Sequence, residues 1–293
     1  MNASVSSPDR YALIGHPVNH SWSPFIHGMF ARATLQHMQY RLIDADAERF
    51  RSAALEFLVQ GGRGLNVTIP HKQAAAELVN EMTPRALVAG AVNTITVKAD
   101  GELKGDNTDG IGLVIDLTEN LKLGLAGKRI LVLGAGGATR GVLGPLLAQK
   151  PELLAIANRT VERAAQLAAS FTGRGTILAS GFDTIEPAPF DLVINATSAS
   201  LQGRMPAIPD AVIGPASICY DMAYAPGDTP FTHWAAEHGA SASHKGWGML
   251  VEQAAEAFMV WRGVRPQTRH VLELLTTKGR ELPRVTAPPG TSP

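Results

Sequence analysis

Lys72 closes the polar stretch Gly64-Leu65-Asn66-Val67-Thr68-Ile69-Pro70-His71-Lys72, and Asp109 lies in Gly105-Asp106-Asn107-Thr108-Asp109-Gly110. An amine and a carboxylate on such loops are able to move a proton and to hold a hydroxyl while it moves. Further on, Gly134-Ala135-Gly136-Gly137-Ala138-Thr139-Arg140 follows the apolar run Ile130-Leu131-Val132-Leu133. Small residues after a strand let backbone amides and a helix N-terminus approach a pyrophosphate. A proton-transferring pair together with a dinucleotide loop points to an enzyme that moves a hydride.

The glycine turn alone could be a tight turn, and Thr139 stands where the strict fingerprint has Gly or Ala. The end of the next strand adds weight. An NAD-specific fold usually places an acid there for the ribose hydroxyls, whereas this chain has Asn158-Arg159-Thr160, with Arg163 one helical turn on. Two arginines and a hydroxyl suit a 2′-phosphate, so position and charge favour NADP. Thr160 is also expected to cap the following helix, and the arginines could simply be solvated.

Other residues fit a small polar ligand. Ser21 and Ser23 flank Trp22 just before Pro24, a pattern for an N-cap followed by proline at the first helical position. Hydroxyls beside a helix start would also suit a carboxylate. Asn66 and Thr68 alternate with Val67 and Ile69, which places the polar pair on one side of a strand. Lys72 falls in a first helical turn, against the helix dipole, a conflict functional sites tolerate. A solvated lysine is its alternative reading. Asn93 could be an exposed turn residue, and Gln253 sits on an otherwise apolar, alanine-rich helix.

The elements that must position these groups alternate throughout. Strands are expected at 11–15, 40–43 and 65–69, helices at 24–35, 45–59 and 71–79, and a hairpin from 92 through the Asp100-Gly101 turn. Residues 107–122 have helical spacing. Strict strand–helix alternation follows, with strands at 129–133, 153–157, 176–178, 191–195 and 217–220 and helices at 138–148 and 161–170. The apolar runs are continuous, as in parallel strands covered on both faces. The fold class is therefore α/β in two domains. One is an N-terminal α/β substrate domain (1–108), completed by C-terminal helices at 249–261 and 268–275 (domain span 247–279). The other is a doubly wound Rossmann domain (109–246). Residues 280–293, rich in proline, read as a disordered tail.

With 293 residues, 26 basic against 26 acidic, and 45% hydrophobic, the composition is that of a globular protein. Balanced charge gives no electrostatic case for nucleic acid or an anionic membrane. No stretch approaches membrane-spanning length. The single Cys219 offers neither a disulfide nor a cysteine metal site, which fits a cytoplasmic enzyme without a metal.

Taken together, these segments resemble the shikimate dehydrogenase family from Gly15 to about Leu275. The resemblance runs through His20-Ser21-Trp22-Ser23-Pro24, the Asn66 to Lys72 stretch, Gly90-Ala91-Val92-Asn93-Thr94 and Asn107-Thr108-Asp109-Gly110. It continues through the glycine turn, Asn158-Arg159-Thr160, Asn195-Ala196-Thr197-Ser198, Tyr220-Asp221-Met222-Ala223-Tyr224 and Met249 to Ala254. It implies reversible NADPH-dependent reduction of 3-dehydroshikimate to shikimate, with Lys72 and Asp109 as the catalytic pair. Ser21 and Ser23 would hold the carboxylate, and Thr68, Asn93, Asp109, Tyr224 and Gln253 the ring hydroxyls. The cofactor would be lined by Gly134, Ala135, Gly136, Gly137, Ala138, Asn158, Arg159, Thr160, Arg163, Met222 and Gly246.

Three positions depart from the usual family pattern: Ser200 for glycine, Gly28 for asparagine and Pro84 for an acid. A quinate/shikimate dehydrogenase of broader range, a catalytically silent ligand-binding paralogue and a methylene-tetrahydrofolate dehydrogenase are the alternatives. The paired serines argue against the last. Oligomeric state, a homodimer included, is left open.

Overall fold

A computed structural model describes residues 7–278; the expected tail at 280–293 lies outside the described residues. The chain divides into two compact units. The first comprises the described residues up to Thr108 and those from Gln253 onward, and the second runs from Asp109 to Glu252.

The first unit contains β1 (Asp9–Gly15), α1 (Ser23–Ala33), β2 (Met38–Asp44), α2 (Phe50–Val59), β3 (Gly62–Val67), α3 (Lys72–Leu78), β4 (Glu81–Met82), α4 (Pro84–Ala89), β5 (Thr94–Val97) and β6 (Leu103–Asp106). Its sheet has the order β2-β1-β3-β5-β6-β4. Strands β1, β2 and β3 are parallel, while β5 runs antiparallel to both β3 and β6. Ala12, Ile14, Phe50, Ala54, Phe57, Leu65, Val67 and Ile95 form a closed core cluster.

Several boundaries in this unit differ from the expected ones. The helix expected from 45 begins at Phe50 because the Asp46 carboxylate accepts the Arg49 amide (2.9 Å) and forms a turn first. Strand β3 stops at Val67 because the chain turns there, the His71 amide donating to the Thr68 carbonyl (2.9 Å). Ser23 is not the N-cap of α1: it lies inside the helix, and its amide donates to the Ser21 hydroxyl (3.2 Å). Helix α4 was not anticipated. Thr83 caps it by accepting the Ala86 amide (3.4 Å), and Pro84 takes the first helical position. Proline is favoured there, which accounts for one departure. Gly28 is exposed, with no atom within 4 Å of an added Cβ, so the asparagine usual there would meet no obstruction.

The second unit opens with α5 (Asp109–Ile115) and continues with β7 (Arg129–Leu133), α6 (Gly137–Ala148), β8 (Leu153–Ala157), α7 (Val161–Ala169) and β9 (Ile177–Ser180). Strand β10 (Leu192–Asn195), β11 (Ile218–Asp221), α8 (Pro230–Glu237) and β12 (Ala242–Lys245) complete it. All neighbouring strands are parallel, in the order β12-β11-β10-β7-β8-β9. This is the doubly wound arrangement, and its strand order reverses between β7 and β10. Leu131, Leu133, Ala155, Phe190, Val193, Cys219, Phe231 and Trp234 build its core. Burial pushes the Cys219 thiol up to about 12. Helix α8 was missed although its start carries a reciprocal cap: Thr229 accepts the Thr232 amide, and Thr232 accepts that of Thr229.

The helix expected at 107–122 begins at Asp109 and widens to π geometry over Asp116–Asn120. The Asp116 carboxylate there accepts the Tyr220 hydroxyl (2.6 Å) and the Asn120 amide (3.0 Å). The last long helices are α9 (Trp247–Arg262) and α10 (Arg269–Lys278). Residues 247–252 of α9 belong to the second unit, not the first as the sequence suggested. The Met249 amide donates to Tyr220 (3.3 Å), and Gly248 lies against Asp116. No helix among the described residues is long and apolar enough to cross a membrane.

Candidate active site

In the first unit, the register Asn66↔Thr94 between β3 and β5 starts a chain of polar side chains. Tyr40 on β2 donates to Asn66 Oδ1 (2.7 Å), and Asn66 Nδ2 donates to Thr94 Oγ1 (3.1 Å) and to the Asn93 carbonyl (3.2 Å). Thr94 donates to Asn93 Oδ1 (2.9 Å), which also accepts the Thr108 amide (2.9 Å); Asn93 Nδ2 donates to Thr108 Oγ1 (2.9 Å) and reaches Gln253 Oε1 on α9 at 3.5 Å. Asn66, Asn93, Thr94 and Thr108 are all buried. Buried polar groups need such partners, and this network fixes each carboxamide's orientation. Burial drives the Tyr40 phenol well above its usual range, with a smaller opposing effect from Ser23. Tyr40 therefore acts as a neutral donor.

Beside this network, the Ser21 hydroxyl donates to Ser23 Oγ (3.1 Å). Thr68 is half-buried, and its amide donates to the Ile14 carbonyl (3.0 Å). Lys72 is half-buried at the first position of α3. The preceding His71 is held by stacking on Phe50 (4.5 Å) and by the Ala45 carbonyl, 2.7 Å from its Nε2. Its backbone carbonyl accepts the Ala75 amide (2.8 Å), and the Lys72 carbonyl accepts the Val92 amide (2.8 Å). Arg85 on α4 makes a bidentate pair with Asp106 (2.6 Å to each oxygen) and a further bond to Glu256 on α9 (2.9 Å). It ties the strand leading to Asn107 and Thr108 to the helix that carries Gln253. Burial pushes the Asp106 carboxyl up, but Arg85, the Thr83 hydroxyl and the Asn107 amide together outweigh it, so that carboxyl lies below the usual range. Within this unit the structure brings Asn93 to 3.5 Å from Gln253 and pairs Ser21 with Ser23.

In the second unit, Asp109 is buried at the start of α5. The turn after β7 places Gly134 at φ +105°, a conformation that favours glycine. A Cβ there would approach Thr197 Cγ2 and the Ala196 backbone at 3.2 and 3.3 Å. The Thr139 hydroxyl bonds the Gly134 carbonyl (2.9 Å), so the departure from the small-residue fingerprint braces the turn. Gly136, the N-cap of α6, has no side-chain cap and nothing within 4 Å of an added Cβ.

Asn158 donates to the Thr160 carbonyl (2.9 Å) at the end of β8. Thr160 occupies the N-cap of α7, yet its side chain makes no cap bond, contrary to expectation. Arg159, Thr160 and Arg163 are exposed. Met222 follows β11, Tyr224 lies against Trp247 (4.9 Å), and Gly246 donates to the Ala223 carbonyl (3.0 Å). Any Cβ on Gly246 would collide with the Met222 carbonyl oxygen.

Tyr40, Thr94, Thr108 and Arg85 were not singled out from sequence as site residues. Thr94 and Thr108 lie within the segments 90–94 and 107–110 and Asn66 faces the same way as Thr68, but only the β3–β5 register and the Tyr40–Asn66 hydrogen bond join them in one network. Among the described residues, no group of acids, histidines and cysteines could hold a metal.

Three family models match successive parts of the chain. The family model described as shikimate dehydrogenase substrate binding domain matches residues 13–95, that of shikimate / quinate 5-dehydrogenase matches 116–202, and that of the shikimate 5'-dehydrogenase C-terminal domain matches 246–276. A shikimate dehydrogenase (NADP(+)) of Methylococcus capsulatus is 52% identical over 94% of this chain and 99% of that protein. The crystal structure of an Ael1 enzyme from Pseudomonas putida is 46% identical with a TM-score of 0.84, covering 92% of this chain and 98% of that one. A Thermus thermophilus shikimate 5-dehydrogenase, solved with NADP(H) and shikimate, is 31% identical with a TM-score of 0.79, over 90% and 97% of the two chains.

Proposed function

Since the chain belongs to the shikimate dehydrogenase family, we infer that it catalyses reversible NADPH-dependent reduction of 3-dehydroshikimate to shikimate in aromatic amino-acid biosynthesis. The observation that carries this reading is that a chain matching these relatives almost end to end has both Lys72 and Asp109, the pair that the family resemblance assigns to catalysis. A catalytically silent paralogue could dispense with either.

When bound, the nicotinamide supplies the hydride. Lys72 Nζ donates the proton to the carbonyl oxygen of the substrate and recovers it in the reverse direction. Asp109, the second member of the catalytic pair, orients a substrate hydroxyl. Ser21 and Ser23 hold the carboxylate, and Thr68, Asn93, Tyr224 and Gln253 take the ring hydroxyls. The donor set at the end of β8 fits NADP: Arg159, Arg163 and a Thr160 hydroxyl unused in capping suit a 2′-phosphate. Gly134, Ala135, Gly136, Gly137 and Ala138 receive the pyrophosphate, with Asn158, Met222 and Gly246 beside them.

The test is NADPH formation from shikimate and from quinate, with NADP and NAD at equal concentration. Comparable kcat/KM for both cofactors would refute the NADP assignment, and faster turnover of quinate would favour the broader reading. That second reading has one support, the shikimate / quinate description of the model matching 116–202. The cytoplasmic expectation rests on sequence and is tested by cell fractionation; light scattering reads the oligomeric state, which the sequence leaves open.

A further inference from the structure

We infer that Ser200 is a positioning residue for the dinucleotide, holding the loop after β10 against the glycine turn after β7 by way of Asp221 and Asn195. The inference rests on the reading of the Gly134 turn as the NADP site. Strand order reverses between β7 and β10, where doubly wound sheets bind their ligands. The loop that leaves β10 borders the turn directly, since Thr197 and Ala196 supply the atoms nearest Gly134.

That loop is held by paired side chains at the ends of β10 and β11, Asn195 and Asp221, which face each other in register and are wholly buried. Asn195 Oδ1 accepts the Thr197 amide (3.1 Å) and hydroxyl (2.7 Å). Its Nδ2 donates to Asp221 Oδ1 (3.1 Å) and to Ser200 Oγ (3.1 Å). Ser200 passes the chain on, donating to Asp221 Oδ2 (2.6 Å). The carboxylate also takes the Thr229 hydroxyl (2.6 Å) and the Ala223 amide (3.0 Å). Four donors thus meet its acceptor sites. Burial raises the Asp221 carboxyl above its ordinary range, and these bonds oppose that rise, Ser200 first among them.

Without the Ser200 hydroxyl, a buried carboxylate loses a donor and a buried carboxamide an acceptor. Deleting one partner of such a set exposes the full desolvation cost of those left behind. Relief comes through movement of the loop 196–203, whose Ala196 and Thr197 abut Gly134. A glycine at this position, as the family resemblance leads one to expect, would supply no hydroxyl. The chain's own serine therefore adds a rung to the clamp.

The test compares wild type, S200A, S200G and S200T by calorimetric titration with NADP and by amide hydrogen exchange of the free enzyme. Expected are an NADP Kd weakened about tenfold in S200A and S200G, the low end for a hydrogen bond to a charged group, recovery in S200T, and faster exchange at 196–203. KM for shikimate stays unchanged. Wild-type affinity in S200A, or weaker affinity with unaltered exchange at 196–203, overturns the inference. Failure of the parent reading looks different, because wild type itself would then not bind NADP, while exchange in free S200A would still report on the clamp.

Discussion

In the first unit, Tyr40, Asn66, Thr94, Asn93 and Thr108 are bonded side chain to side chain, and most of their polar atoms are committed before any ligand arrives. In the second, the turn at Gly134 presents backbone, Gly136 adjoins open space, and the charged groups Arg159 and Arg163 are exposed. The contrast follows from what each must recognise. A ring with several hydroxyls is distinguished by donors and acceptors at fixed angles, which only preorganised side chains supply. A pyrophosphate is satisfied by amides and a helix N-terminus, so there the absence of side chains is what counts. The first kind of site should fail by altered chemistry or substrate recognition and the second by altered cofactor affinity.

The largest expected effect tests the first half of that contrast. Lys72→Ala should lower kcat by about 10²–10⁴, the usual range for a lost general acid–base group, with the Kd for NADP unchanged. A kcat within a few-fold of wild type would remove Lys72 from the mechanism. On the other side, replacing Arg159 and Arg163 together by alanine should raise KM for NADP by roughly 10²-fold, as the loss of two charge-assisted bonds implies. KM for NAD and kcat should change little; equal losses with both cofactors would mean that the arginines do not read the 2′-phosphate.

A third expectation concerns acid stability. His27 is wholly buried against Tyr40 (4.2 Å, stacked) and Phe30, and burial holds its imidazole down to about 3 from 6.5. The unfolded chain binds this proton first, so the contribution is complete above pH 6.5 and declines as pH falls toward 3. At pH 5 the loss is about 2 kcal/mol. Urea midpoints measured between pH 7 and 5 should fall in wild type and flatten in His27→Phe. An unchanged slope in that variant would assign the decline to other groups. The smallest effect is that of Tyr40→Phe, which removes one neutral donor to Asn66. It should raise KM for shikimate about fivefold, corresponding to ~1 kcal/mol, and leave NADP binding alone. An NADP effect as large as the shikimate effect would blur the division between the units.

Much of this was legible in the chain. Strands β7 and β8 occupy the residues their apolar runs predicted, because a strand covered on both faces leaves a continuous signal. Local hydrogen bonds moved other boundaries: the Asp46 turn delayed α2, and Ser21 accepts the amide of Ser23, which lies inside α1 rather than capping it. The wide turn at Asp116–Asn120 was not legible, since a single π turn is too short to leave an apolar period of its own; here Asp116 bonds Tyr220, more than a hundred positions away in sequence.

Sequence alone determined the residue types and their local frames: the lysine after Pro70, the glycine turn after a strand, the arginines where an acid would select NAD. Each depends on neighbours a few positions away, and local patterns carry such information. Tertiary structure decided which polar groups share a network. Register set Asn66 beside Thr94 and Asn195 beside Asp221, and packing brought Glu256 to Arg85. Those partners lie far apart along the chain, and a buried carboxamide or carboxylate takes its role from whatever the fold places within hydrogen-bonding distance.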